Sequence, residues 1–139
     1  MNAIYGFNSD KTKAEIRLTE DDFVRISAAG WAPDPNIPRL LIKVGRICYA
    51  NFGARRSSVQ VLDAGSKIII GRVPDGYIPF KNFQFSTQYI KHGSSSASDL
   101  VDAVIGIDEL GQVFIKNRSQ EKCDVDSCSV RDFFYVSTN

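Results

Sequence analysis

Phe83-Gln84-Phe85-Ser86-Thr87-Gln88-Tyr89 sets Phe83, Phe85, Thr87 and Tyr89 on one side of an extended chain and Gln84, Ser86 and Gln88 on the other. Side chains along a strand point to opposite faces in turn, so this two-residue period predicts a strand with one face in a core and one in water. Outward from it the pattern recurs. Val101, Ala103, Ile105 and Ile107 repeat it, as do Val113 with Ile115 and Phe133 with Tyr135. Leu40, Ile42 and Val44, then Cys48, Ala50 and Phe52, alternate along a longer stretch that Gly45-Arg46 interrupts, which predicts one bent strand or two. Val59 and Val61 predict a further short strand. Lys67 to Ile70, apolar after its lysine, predicts a strand covered on both faces. No segment sustains a 3.6-residue apolar period, so the reading is all-β.

The punctuation between these runs agrees. Asp108-Glu109-Leu110-Gly111 carries Asp and Gly where a type I turn prefers them, and predicts a hairpin between the strand ending at Ile107 and the one starting at Gln112. Asp63-Ala64-Gly65-Ser66 similarly joins its flanking strands. Turns at such spacing predict a sandwich or barrel. Three stretches read as irregular: residues 28–38, with three prolines and the only tryptophan; residues 92–99, with four serines; and the polar residues 117–130, where 127–131 could hold one helical turn.

Composition narrows the function. A chain of 139 residues, 43% hydrophobic and 24% charged, fits one soluble domain that needs no staple to fold. A net charge of +1 gives no broad footprint for nucleic acid. Arg55-Arg56 reads as a solvated turn rather than a phosphate site. No stretch approaches the roughly 20 apolar residues of a membrane helix, and the N-terminus lacks the pattern of a signal peptide. Cys48, Cys123 and Cys128 are an odd number without an export signal, and read as reduced thiols. As loop thiols, Cys123 and Cys128 should tolerate serine with little loss of stability.

Chemistry is sparse. The only histidine, His92, lies beside the serine-rich loop, and no nucleophile-elbow sequence accompanies it. Asp99, Asp102 and Asp108 could supply the paired carboxylates of a glycosidase, but their places at turns and on a polar strand face fit ordinary solvation better. Gly71 to Gly76 lacks the context of a phosphate loop. Zinc would need a ligand close to the cysteines, and His92 is far off in sequence. No enzyme, cofactor or metal is expected.

Gly71-Arg72-Val73-Pro74-Asp75-Gly76-Tyr77-Ile78-Pro79 resembles a turn that recurs in the C-terminal head domains of phage tail fibre and receptor-binding proteins. Lys43-Val44-Gly45-Arg46-Ile47-Cys48-Tyr49-Ala50 upstream is similar to that family's preceding strand. Downstream, residues 106–115 resemble its hairpin, with one extra residue before the glycine, and Phe133-Phe134-Tyr135-Val136 its closing aromatic strand. In order and spacing the resemblance covers residues 40 to 139. The opening Ile4 to Lys11 more weakly resembles the starts of small tail-associated proteins of Gram-positive phages and prophages.

The resemblance implies an antiparallel β-sandwich head, jelly-roll-like and usually a homotrimer, that binds a cell-surface saccharide. Residues 1–22 would be an attachment segment and 23–139 the head. Made in a bacterial cytoplasm, the protein would work in a virion or tail-like particle beside other tail or baseplate proteins. Unlike longer members it leaves little room for a stem, so terminal adhesin and accessory subunit both stay open. From loop position, Trp31 and Tyr77 are the aromatic candidates for saccharide contact, and Arg55, His92 and Asp99 the polar ones. Tyr77 reads more readily as a core or interface anchor, and Trp31 equally as a packing residue. A structural subunit binding only protein neighbours is the competing reading, and a polysaccharide hydrolase the third.

Overall fold

The computed structural model describes residues 24–138 in full and, as backbone, strands β1 (Ala3–Ser9) and β2 (Thr12–Arg17). The remainder of the expected attachment segment lies outside the described residues. The other strands are β3 (Arg25–Ile26), β4 (Trp31–Pro33), β5 (Leu40–Val44), β6 (Ile47–Leu62), β7 (Lys67–Arg72), β8 (Phe83–Lys91), β9 (Leu100–Ile107), β10 (Gln112–Asn117) and β11 (Cys123–Val136). Among the described residues there is no helix, and so none able to cross a membrane.

All pairings are antiparallel, and they form one 11-stranded sheet in the order β1-β2-β5-β6-β11-β8-β9-β10-β7-β3, with β4 on β6. The sheet curls nearly into a barrel. One end, at β3, is tied back to β6 through the chain itself. β3 lies on β7 through Arg25↔Arg72 and Ile26↔Gly71, and after a turn at Ala28–Trp31 the chain returns as β4 onto β6. That first contact is tight. A Cβ on Gly71 would stand 2.2 Å from the Arg25 carbonyl oxygen, so only glycine lets β3 approach.

β6 is the hub. Its first half pairs with β5 (Leu40↔Asn51 to Val44↔Ile47), residues 54–56 pair with β4, and its far edge runs along β11. Even-numbered Cys48, Ala50, Phe52 and Ala54 point into the core, each at most 1% exposed. Two irregularities break the β6–β11 ladder: Val125 faces Gln60 while Ser127 already faces Arg55, and Val130 faces Phe52 while Phe133 faces Ala50. Bulges of this kind bend a strand and strengthen its twist, which closure of a sheet requires.

β8 pairs with β11 only through Ile90↔Asp124 and Lys91↔Cys123, then the two diverge. Aromatic rings fill the resulting seam. Phe85 stacks on Phe133 at 4.3 Å between centroids and Phe83 on Tyr135 at 4.9 Å. The Tyr89 hydroxyl donates to the Ser127 carbonyl at 2.6 Å, and that of Tyr135 to the Tyr77 carbonyl at 2.7 Å. Both phenols thus enter the core with their polar ends satisfied.

The Asp108–Gly111 hairpin is as expected: Asp108 Oδ1 accepts from the Leu110 and Gln112 amides, and Gly111 takes φ of 82°. Of the two readings of Leu40 to Phe52, two strands is the one found: Gly45-Arg46 is a two-residue turn between them, closed by Val44↔Ile47. Elsewhere the structure corrects the sequence reading. Val59 and Val61 belong to β6, not to a strand of their own. Residues 28–38 are not wholly a loop, because β4 lies within them; its Pro33 is tolerated on a strand whose only ladder partner is β6. Lys67 to Ile70 is not covered on both faces, since Ile69 is 36% exposed. The Asp63–Ser66 turn is a corner, not a hairpin: β6 and β7 are not ladder neighbours.

The polar residues 117–130 hold no helical turn; from Cys123 onward they are β11. Cys123, Val125, Cys128 and Val130 line its buried face, each at most 2% exposed, and the bulge between Val125 and Cys128 hides the alternation. The cysteines are free thiols, as read, but Cys123 and Cys128 are core residues rather than loop residues. Serine there would bury a hydroxyl, so the mild effect expected of loop positions does not apply.

Asn117 ties the corner together. Fully buried, it donates through Nδ2 to the carbonyls of Leu62 (3.0 Å) and Glu121 (2.7 Å) and accepts at Oδ1 from the Ser119 amide and hydroxyl. Removing that amide leaves buried backbone groups unpaired, so Asn117→Ala should cost about 2–4 kcal/mol in urea unfolding. A loss under about 0.5 kcal/mol would show that water substitutes for it.

Burial pushes the thiols of Cys123 and Cys128 up to about 11 and about 12, from an ordinary 9.0. Burial likewise raises the phenols of Tyr89 and Tyr135. Unfolded, the thiols release protons from about pH 9 upward, whereas the folded protein retains them. Stability should therefore be level below about pH 9 and fall as pH rises toward 11 and 12. Melting temperatures taken from pH 7 to 11 test this; a level profile to pH 11 would contradict it.

Candidate functional site

Of the five sequence candidates, Arg55 lines one surface pocket, His92 and Asp99 lie in the loop beside a second, and Trp31 and Tyr77 line neither. The Tyr77 ring is 1% exposed, with Lys43 Nζ 5.7 Å from its centroid, so it anchors the core and offers no face to a ligand. The turn before it, closed by Tyr77 N–H donating to the Pro74 carbonyl at 3.1 Å with Gly76 at φ of 90°, aims that ring inward.

Trp31 opens β4 and is 7% exposed. Its Nε1 donates to Gln60 Oε1 at 3.0 Å, and the Arg56 guanidinium lies 5.9 Å from the ring centroid. The tryptophan is a packing residue. Arg55, by contrast, is exposed, and in the ladder it stands opposite Ala32 on one side and Ser127 on the other. Beside it opens a pocket of about 380 Å³ lined by Gly30, Ala32, Arg55, Arg56 and Ser57.

His92 and Asp99 share the β8–β9 loop. Its base is closed by the Lys91 amide donating to the Asp99 carbonyl at 2.9 Å. A second anchor ties it to the start of β11: the His92 amide donates to the Lys122 carbonyl at 2.9 Å, and its Nδ1–H to Asp124 Oδ1 at 2.7 Å. Lys91 Nζ meets Glu121 Oε2 at 3.1 Å on the same side. Where β8 and β11 begin to diverge, a pocket of about 240 Å³ is bounded by Val59, Tyr89, Ile90, Ser94, Leu100, Asp124 and Asp126, with Gln88. Asp99 holds the loop through its backbone, and its own side chain is exposed outside the lining.

The seam pocket mixes two kinds of wall. Val59, Ile90 and Leu100 are 49%, 38% and 42% exposed, aliphatic groups left at the surface. Asp124 and Asp126 supply acceptors, Ser94 a hydroxyl and Gln88 an amide. Mixed surfaces of this kind suit a ligand that presents C–H patches and hydroxyls together. Asp124, Asp126, Arg56 and Gln60 were not among the sequence candidates. They lie in stretches whose alternation the β6–β11 irregularity breaks, and no local signal singles them out. Among the described residues no cluster of three His, Cys, Asp or Glu side chains is arranged to hold a metal.

Comparison with protein-family models, with curated proteins and with solved structures finds no match to this chain.

The contrast between Trp31 and Arg55 is measurable. Trp31→Ala should destabilise by about 3–5 kcal/mol, as expected for loss of a buried ring. Arg55→Ala, at an exposed position, should stay within about 0.5 kcal/mol of the parent. Chemical unfolding of the two variants decides; a Trp31→Ala protein of parental stability would return the ring to the surface.

Proposed function

We propose that this protein is a non-enzymatic saccharide-binding head of a phage tail or tail-like particle. In this reading the curled sheet serves as the jelly-roll-like head, assembled as a homotrimer and mounted on tail or baseplate neighbours. One observation carries the ligand class: the seam pocket, where aliphatic groups from β6, β8 and β9 stand beside carboxylates from β11 and the anchored His92 loop. Sugars offer apolar ring faces and hydroxyls in the same small volume, and that wall meets both. The order of sequence motifs from Lys43 to Val136 supports the tail setting.

A second reading, a structural tail subunit that binds only protein neighbours, draws on a different surface. On the outer face of β6 and β11, Ile47, Phe134 and Val136 are 58%, 68% and 49% exposed, and Phe80 beside them is 55% exposed. Cross-strand pairs Tyr49↔Phe134 and Ile47↔Val136 join them into one apolar band. Such a band is characteristic of an interface with another chain. In the first reading it is the surface that copies of the head share.

Purified protein should sediment and scatter light as three copies and should bind one or more polysaccharides on a panel of purified bacterial surface glycans. Single-site affinity should be weak and gain strength through avidity. Leu100→Asp, at an exposed position of the pocket wall, should preserve the oligomer and lower binding at least tenfold. A trimer that binds no glycan and no cell would favour the structural-subunit reading, and a monomer would remove the trimer.

A further inference from the structure

We propose that the saccharide is anionic and that the pocket at Arg55 and Arg56 receives its acidic group; this rests on the saccharide reading above and deepens it. The pocket lies on the β4 side of β6, where Gly30 and Ala32 stand beside Arg55, Arg56 and Ser57. Its lining contains two guanidinium groups and no carboxylate. In a chain of net charge +1 this is a local concentration of positive charge, not an overall excess.

The two arginines have different parts. Arg56 is fixed: its Nε donates to the Ser58 carbonyl at 3.1 Å, and its Nη1 to the Ala29 carbonyl at 3.3 Å and to Gln60 Oε1 at 2.7 Å. Those acceptors are neutral, so they orient the guanidinium without cancelling its charge. Gly30 makes room for it. A Cβ there would come 3.0 Å from Arg56 Cζ and press on the guanidinium, and the φ of 82° at Gly30 strains any side chain at this position. Arg55 is exposed and among the described residues has no acidic partner, which leaves its planar fork free to close on an anion. The Ser57 hydroxyl completes the rim.

Ser57 on this pocket and Val59 on the seam pocket are two residues apart, a reach of no more than about 7 Å. In this proposal linked sugar units cross β6 to occupy both. Asp124 and Asp126 accept hydroxyls at the seam end and repel an acidic group there, while the arginines attract it at the other. The charge pattern thus gives the bound chain a direction. A phosphodiester and a uronic acid carboxylate share the chemistry that an arginine fork recognises, and the experiment separates them.

The test uses the full chain on purified bacterial surface polysaccharides grouped as phosphodiester-bearing, uronate-bearing and neutral. Binding should fall in one or both acidic groups, which names the source of the charge, and should weaken several-fold as salt rises from 50 to 300 mM. On the bound polysaccharide, Arg55→Ala should lose at least tenfold in affinity with unchanged circular dichroism, and Lys116→Ala, an exposed cation elsewhere on the sheet, should stay within twofold. Neutral polysaccharides bound as tightly as acidic ones, or undiminished binding by Arg55→Ala, would overturn the anionic site and leave the saccharide reading standing. Binding to none of the three groups would overturn both.

Discussion

A single strand of 16 residues, β6, has to serve three neighbours, and the rest of the molecule follows from how it does so. Its first half gives one edge to β5 and through it to β2 and β1, its second half gives the same edge to β4, and β11 takes the other edge. A strand this long cannot run straight through a curled sheet, because the twist between neighbours accumulates. The two ladder irregularities with β11 accommodate that twist. They also determine what reaches the surface: one, between Val125 and Ser127, lies where Asp124 and Asp126 line the seam pocket, and the other, at Arg131–Asp132, leaves Phe134 outward and Tyr135 inward. Asp132, with φ of 54°, is the residue that takes up this second shift.

The seam between β8 and β11 shows how the core adapts to incomplete pairing. Two ladder pairs hold the strands together at one end, and stacked rings replace hydrogen bonds at the other. A gap closed by side chains rather than by backbone leaves a surface depression where the pairing stops, and the pocket with Asp124 and Asp126 lies there. The fold and the candidate site therefore share one cause.

Sequence reveals those parts of this structure that depend on neighbours along the chain. The Asp108–Gly111 hairpin is legible because its turn residues act within four positions, and Phe83 to Tyr89 because no bulge interrupts the period. The first half of β11 is illegible for the opposite reason: Val125 and Cys128 both face the core, three positions apart, so their spacing mimics a loop or a helical turn. Arg55-Arg56 reads as a solvated turn, although it lies within β6. Among site residues, His92 is legible as a loop side chain, but its partner Asp124 is 32 positions away. Trp31 and Tyr77 look like binding aromatics only while their burial is unknown; tertiary packing turns both inward.

The functional account therefore turns on the outer surface around the β6–β11 irregularity, with the inner face of β6 given wholly to the core. Backbone amide shifts in an NMR titration of the full chain with fragments of a polysaccharide it binds would locate the ligand directly. The account predicts perturbations grouped at residues 30–32, 55–61, 92–100 and 124–127, with residues 74–80 silent. Perturbations centred on the turn at Pro74–Gly76, or on the apolar band of Ile47, Phe134 and Val136, with residues 55–61 silent, would contradict it.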